Sequence, residues 1–529
     1  MENKFGNSFD NKFMTALKTS SANTNNLTLS ANGATMYEST TNPLLDFNFS
    51  LTKYRNYFKK QTECETDIFD IMSDWDKVLN DSSIEDSIKM KYLFFLRDCR
   101  EGLGERSIFR QCAFQTLDSA LSEKFISLLK YIPEYGRWND LLLLYGYDKT
   151  ADTEIGIIVR EQWHKDLQNY AGNKPISLLS KWLPSINSHS ANTKKRAKIW
   201  MENLGLNEKW YRKSLSTFRE YLNICEKNMS SKEYEKIDYS QVPSKAALIY
   251  KNAFKRNDTE RYAEYLSKLS EGKTKVNAAV TLPYEIVRAY KKEYYPLNKD
   301  ILLEEAWKNI PCADIENTLV IRDGSGSMTS PWDVGGSGCS PLDFADALTL
   351  FFSEHCKGDF KDKFITFSSR PEFVDLSSCT SLSEKLNKIR RYNDCSNTDL
   401  KKTFDLILNL AIENNLSQED LPKNLVIVSD MEFDSGTTSY YSSHIYNGKD
   451  NYTLMESIRK EWADCGYIIP NLVYWNLNAD RSVYPEIKGN VILVSGFSQN
   501  NYKMIMQNKY DPWDSLVEVL NGDRYDIIS

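Results

Sequence analysis

The apolar period of this chain changes near Cys312, and a chain whose period changes cannot be one uniform architecture. From about residue 47 to 295, apolar residues recur at three- and four-residue spacing. That spacing predicts helices over Ile68 to Leu79, Asp86 to Arg97, Ser107 to Leu117, Ser122 to Leu129 and Trp138 to Tyr145. It continues over Asp152 to Tyr170, Thr193 to Leu204, Lys209 to Asn228, Pro243 to Arg256, Asp258 to Lys268 and Pro283 to Tyr290. Past Cys312, short apolar runs at Leu319–Ile321, Phe364–Phe367, Leu425–Val428, Leu472–Trp475 and Val491–Val494 alternate with helical stretches. Strands separated by helices pair in parallel, and the helices then cover both faces of the sheet.

The chain of 529 residues therefore reads as multidomain. Residues 1–45 are rich in Asn, Ser and Thr and carry too little apolar surface to offset the entropy of ordering, so a disordered tail is expected there. Residues 46–312 are expected to form an all-α domain of short stacked helices, a HEAT-like helical repeat without a clean repeat period. Residues 313–529 are expected to form a doubly wound, Rossmann-like α/β domain. Its first long helix should open at Ser340-Pro-Leu-Asp343, which has the form of a capping box with proline in the first turn.

Composition narrows the function classes. Hydrophobic content of 41% and charged content of 26% are ordinary for a globular protein, and a net charge of −7 excludes a wholesale polycation. Ten cysteines without a C-x-x-C pair, beside four histidines, argue against structural zinc. No secretory segment is read at the start and no apolar run approaches the roughly 20 residues that span a bilayer. A reducing, cytoplasmic setting without a membrane is the expectation.

Chemistry concentrates where the first predicted strand ends, in Thr318-Leu-Val-Ile-Arg-Asp-Gly-Ser-Gly-Ser-Met328. Oxygens spaced as in Asp323, Ser325 and Ser327 converge on one hard cation when the loop curls over a sheet edge. Asn397-Thr398-Asp399 precedes a later helix, and Leu425-Val-Ile-Val-Ser-Asp430 is a second apolar run ending in an acid. Asp323, Ser325, Ser327, Thr398 and Asp430 then form a five-oxygen set suited to Mg²⁺ or another divalent cation, with a coordination position left open. Ser429 reads as packing or turn chemistry. Neither a G-x-x-x-x-G-K-[ST] loop nor a second acid two residues after Asp323 is present, so catalysis is not expected.

A second feature lies in the helical half. Between Lys174 and Arg256 there are 17 Lys/Arg against 7 Asp/Glu, densest at Lys194-Lys-Arg-Ala-Lys198 and continued by Lys209, Arg212, Lys213 and Arg219. Trp182, Trp200, Trp210, Tyr211 and Phe218 interleave with them. Cations neutralise phosphates and exposed rings stack unpaired bases. His189, in the polar loop Asn187-Ser-His-Ser190, is a further candidate contact.

The metal constellation resembles the metal-ion-dependent adhesion site of von Willebrand factor A domains, over roughly 316 to 529. In that family a first acid, two serines, a later threonine and a later acid hold the metal, which matches the five residues above. The helical half resembles the TROVE domain of Ro ribonucleoproteins through Ser180-Lys-Trp-Leu-Pro-Ser185, Lys209-Trp-Tyr-Arg-Lys-Ser-Leu215, Val242-Pro-Ser244 and Arg256-Asn-Asp258. It is closer still to a large uncharacterised family, through Leu96-Arg-Asp98, Gly104-Glu-Arg106, Ile132-Pro-Glu-Tyr-Gly-Arg-Trp138 and Leu493-Val-Ser-Gly-Phe-Ser498. The Ro resemblance implies a ring of helices that binds small structured or single-stranded RNA. Carried onto this chain, it marks Lys181, His189, Lys194, Lys195, Arg196 and Lys245. The expectation is a noncatalytic RNA-binding scaffold with an adhesion-type metal site. The alternative is a cation-dependent adaptor without RNA, whose protein partner supplies an acidic residue to the metal.

Overall fold

The structure is a computed structural model and describes residues 26–29, 35–57, 65–276, 278, 281–291, 295–329, 339–393, 399–431, 433, 454–477, 484–485, 487, 490–506 and 509–528. The chain divides into two units whose boundaries interleave. One comprises Met1–Glu63, Glu293–Leu297 and Cys312–Val519, and the other Cys64–Lys292, Asn298–Pro311 and Leu520–Ser529. No helix among the described residues is long and apolar enough to cross a membrane.

The first unit is built on a six-stranded sheet. Its spatial order is Val491–Ser495, Asn471–Asn476, Asn424–Ser429, Thr318–Asp323, Lys363–Phe367 and Phe373–Asp375, with only the last pairing antiparallel. Alternate residues of a strand face opposite sides, so each strand supplies two cores. Leu319, Ile321, Ile365, Phe367, Leu425, Ile427, Leu472 and Leu493 face one side and pack with Phe404, Leu408, Ile458 and Trp462. The latter four come from helices Leu400–Glu413 and Leu454–Asp464. On the other face, Phe352 of helix Pro341–His355 meets Trp475 with ring centroids 5.3 Å apart. That helix opens with the capping box read from the sequence: Ser340 accepts from the Asp343 amide and Asp343 accepts from the Ser340 amide. Each fully buried aliphatic or aromatic side chain here contributes about 1.5–3 kcal/mol.

Two sequence expectations are corrected. The tail expected over 1–45 is, in its described part, incorporated into this unit. Leu27–Leu29 pairs antiparallel with Thr35–Tyr37, Tyr37 exchanges backbone hydrogen bonds of 2.8 and 2.9 Å with Tyr484, and Met36 joins the sheet core. Asn42 caps helix Pro43–Phe49, and Leu51–Tyr57 follows, so the helical domain does not begin at residue 46. The reason is local. Met36, Phe47 and Phe49 are single apolar anchors that an averaged composition dilutes among polar neighbours. The second correction lies at the other end, where residues from Leu520 onward belong to the helical unit rather than to the sheet.

In the helical unit most predicted helices form close to their expected bounds, among them Glu65–Asn80, Asp86–Arg97, Ser107–Leu117, Lys149–Ala171 and Ala191–Asn203. The helix expected over Lys209 to Asn228 is instead broken at Asn223, whose φ is 47°, into Glu208–Tyr221 and Cys225–Ser230. Trp75 is fully buried and donates to the Thr116 hydroxyl at 3.0 Å, tying Glu65–Asn80 to Ser107–Leu117. The segments Leu96-Arg-Asp98 and Tyr135-Gly-Arg-Trp138 meet in one buried polar node. Arg97 donates to Asp140 at 2.5 and 2.8 Å, and Asp98 accepts from Arg524 at 2.6 and 2.9 Å and from the Tyr525 hydroxyl at 3.0 Å. The Tyr135 hydroxyl in turn donates to the Arg524 carbonyl at 2.5 Å. A Cβ at Gly136 would stand 2.7 Å from Asp140 Oδ2 and 2.8 Å from Arg97 Nε, so the node requires glycine there. These residues clasp the C-terminal segment. We expect Arg524→Ala to cost about 3 kcal/mol, because it strips donors from a carboxylate that is itself fully buried. Urea unfolding checks this, and an unchanged midpoint would refute it.

Candidate strand-end site and basic helices

The strands Thr318–Asp323 and Asn424–Ser429 are neighbours, but the next strand of this sheet in sequence, Lys363–Phe367, lies on the other side of the first. Strand order therefore reverses between them, and open α/β sheets gather ligands beyond the carboxyl ends at such a reversal. Asp323 and Asp430 stand at those two ends, 0% and 2% exposed. The geometry follows from burial. Asp323 Oδ1 accepts from the Ser325 amide at 2.9 Å, and Oδ2 accepts from the Ser429 hydroxyl at 2.5 Å. The hydroxyls of Ser325 and Ser327 lie 2.9 Å apart. Burial, and then the Asp430 carboxylate, push the Asp323 carboxyl well above the usual carboxylate range, and the hydroxyl and amide donors only partly oppose this.

Below the loop, Arg322 is fully buried and donates to Asp346 at 2.8 Å, to the Tyr392 carbonyl at 3.3 Å and to the Asn393 side chain. This guanidinium runs close under the turn: a Cβ at Gly324 would stand 3.1 Å from its Nη1. The loop oxygens are thus carried on a buried, ion-paired base.

The described structure brings together Asp323, Ser325 and Ser327, with Asp430 near enough to repel Asp323. Thr398 lies outside the described residues. Asp399 caps helix Leu400–Glu413, accepting from the Lys402 amide at 3.0 Å. Among the described residues no three His, Cys, Asp or Glu side chains cluster as metal ligands, and the set here is one of carboxylates and hydroxyls instead. Ser429, read from the sequence as packing or turn chemistry, donates directly to Asp323, and the Met431 amide donates to its oxygen at 3.1 Å. Its position beside a strand-end acid was the available signal. In EDTA, Asp323→Asn removes the repulsion and should raise Tm by roughly 2–4 °C, the shift that accompanies about 1 kcal/mol. A lower melting temperature for that variant would count against the reading.

The basic residues divide. His189, Lys194 and Lys195 are exposed, as are Lys198, Lys209, Arg212 and Lys213, which the sequence placed in the same run. Arg196, by contrast, turns inward and donates to the Leu142 carbonyl at 3.1 Å, and its burial lowers its pKa. Lys245 pairs with Glu285 at 2.9 Å, and Lys181 lies 3.9 Å from Glu226. Arg219 donates to the carbonyls of Ser180 and Leu183, and Tyr211 to that of Pro184. The segments 180–185 and 209–215 are therefore bound to each other, which gives much of that pattern a structural role. Trp200, Tyr211 and Phe218 are core residues, whereas Trp210 is 57% exposed.

Comparison with known proteins agrees with a two-part chain. Residues 155–314 match a domain of unknown function, DUF2828, and residues 317–521 match another, DUF7788. The chain is 28% identical to an uncharacterized protein of Acanthamoeba polyphaga mimivirus over 539 residues, covering 94% of this chain and 87% of that protein. Among solved structures, the crystal structure of the Ro (RSR) protein of Deinococcus radiodurans aligns over 84% of this chain and 95% of its own, with 13% identity and a TM-score of 0.43. A likeness of that size carries no argument about function.

Proposed function

We propose that the protein is a noncatalytic RNA-binding scaffold whose helical unit, a HEAT-like array, holds small structured or single-stranded RNA. The observation that carries this reading is the division of the cations. Lys194, Lys195 and Lys198 on helix Ala191–Asn203, and Lys209, Arg212 and Lys213 on helix Glu208–Tyr221, are exposed and without an ion pair among the described residues. Most other basic residues of the segment are spent on carbonyls or acids. Exposed cations concentrated on two successive helices of an acidic chain suit a phosphate backbone. The sequence resemblance to TROVE domains points the same way. In low salt, labelled single-stranded or hairpin RNA should bind, and the K194E/K195E/K198E variant should bind at least tenfold more weakly. Its salt slope should flatten by roughly two to three units, the value of three lost phosphate contacts. Absence of RNA binding by the intact protein would end this reading.

The strand-end site favours a second, compatible reading in the other unit: a divalent cation held by Asp323, Ser325, Ser327 and Asp430, with Thr398 as the fifth residue of the set. Two buried carboxylates at one sheet edge support it, because a bound Mg²⁺ offsets their repulsion and keeps an open position for a partner's carboxylate. Added Mg²⁺ should raise the melting temperature of the wild type and leave Asp323→Ala unmoved. An equal rise in both proteins would exclude the site.

A further inference from the structure

Helix Glu208–Tyr221 buries one face through Tyr211, Leu215 and Phe218, which are 0%, 3% and 2% exposed. Large rings normally follow that face, yet Trp210 and Tyr221 do not: they are 57% and 37% exposed. Eleven residues separate them, which on an α-helix places them within roughly 20° of the same face and roughly 16 Å apart along the axis. Both rings are held. Lys213 Nζ lies 5.9 Å from the Trp210 ring centroid. The Tyr221 hydroxyl donates to the Lys174 carbonyl at 3.1 Å, and its ring meets Tyr170 edge-on at 5.0 Å. Lys209 and Lys213 are exposed within roughly 100° of Trp210, whereas Arg212 projects roughly 200° away. Of the two acids on the helix, Glu220 is paired with Lys227 at 3.2 Å, and Glu208 projects roughly 200° away from Trp210.

We propose that this helix face is a track for unpaired nucleic acid, on which Trp210 and Tyr221 each stack a base while Lys209 and Lys213, the exposed cations nearest the Trp210 face, neutralise phosphates of the strand. The inference rests on the RNA-binding reading above and specifies its ligand as a single strand. The span between the rings suits a few nucleotides. Flat rings gain from exposed base faces, which a duplex hides, and they gain little from the carboxylates of an acidic peptide.

The test uses the full-length protein with a labelled short oligouridylate, a labelled duplex of equal length, and polyglutamate as competitor. Trp210→Ala should weaken oligouridylate binding roughly tenfold or more, the value of one lost base stack. It should leave duplex binding within about twofold and the salt slope unchanged, because the ring carries no charge. Trp210→Phe should retain most of the affinity, and Tyr221→Ala should add a further loss. If Trp210→Ala binds the oligouridylate as tightly as the wild type, the track is wrong. It is equally wrong if polyglutamate displaces the strand and Trp210→Ala weakens both alike. Binding lost in K194E/K195E/K198E but untouched by Trp210→Ala overturns the track alone. No single-strand binding at low salt overturns the track and the RNA-binding reading together.

Discussion

Burial of the strand Thr318–Asp323 on both faces is the constraint on which the α/β unit depends. All six of its residues are buried, and it pairs in parallel on either side, Ile321 opposite both Ile365 and Ile427. Two of those residues are charged, and a charge taken out of water must find partners. Arg322 finds Asp346 on helix Pro341–His355 and the backbone at Tyr392, which locks that helix and the chain near residue 392 to the central strand. Asp323 finds the Ser325 amide and the Ser429 hydroxyl, which ties the loop to the neighbouring strand. The same burial that fixes the geometry makes a second carboxylate, Asp430, costly to hold nearby. A strand end with two acids and three hydroxyls is therefore both structurally determined and chemically poised.

The helical unit solves the same problem with different residues. Asp98 is buried at the end of helix Asp86–Arg97, and beside the local Arg100 amide its donors come from Arg524 and Tyr525, more than four hundred residues away in sequence. Arg97, its neighbour, takes Asp140 instead. The long motifs Leu96-Arg-Asp98 and Tyr135-Gly-Arg-Trp138 are accounted for by this node, with Gly136 kept small by the guanidinium beside it. Segments 180–185 and 209–215 are likewise held together by Arg219 and Tyr211. What these internal bonds leave over is informative, since Lys209, Arg212, Lys213 and Trp210 stay exposed.

Much of the fold was legible because apolar periodicity is a direct imprint of burial. Helices Asp86–Arg97 and Ser107–Leu117 and the five parallel strands follow the expected runs closely. The antiparallel edge Phe373–Asp375 was not legible, since three residues with one buried side chain, Val374, hold no period. Nor were the early helices at 43–57, whose few anchors are diluted in an Asn/Ser/Thr-rich stretch. At the candidate sites, the loop Asp323, Ser325 and Ser327 could be read from spacing alone. Ser429 could not, because its role depends on the register that sets Asn424–Ser429 beside Thr318–Asp323.

By itself, then, the sequence determined the two architectures, the strand ends at Asp323 and Asp430, and the place of the basic run. It could do so because these are properties of local pattern. Only the tertiary structure decided that residues 35–57 complete the sheet unit and that residues from Leu520 onward complete the helical one. It alone separated Arg196, turned onto the Leu142 carbonyl, from its neighbours Lys194 and Lys195 in solvent. Position along a helix gives a side chain its direction, but what it meets in that direction is set by parts of the chain far away in sequence.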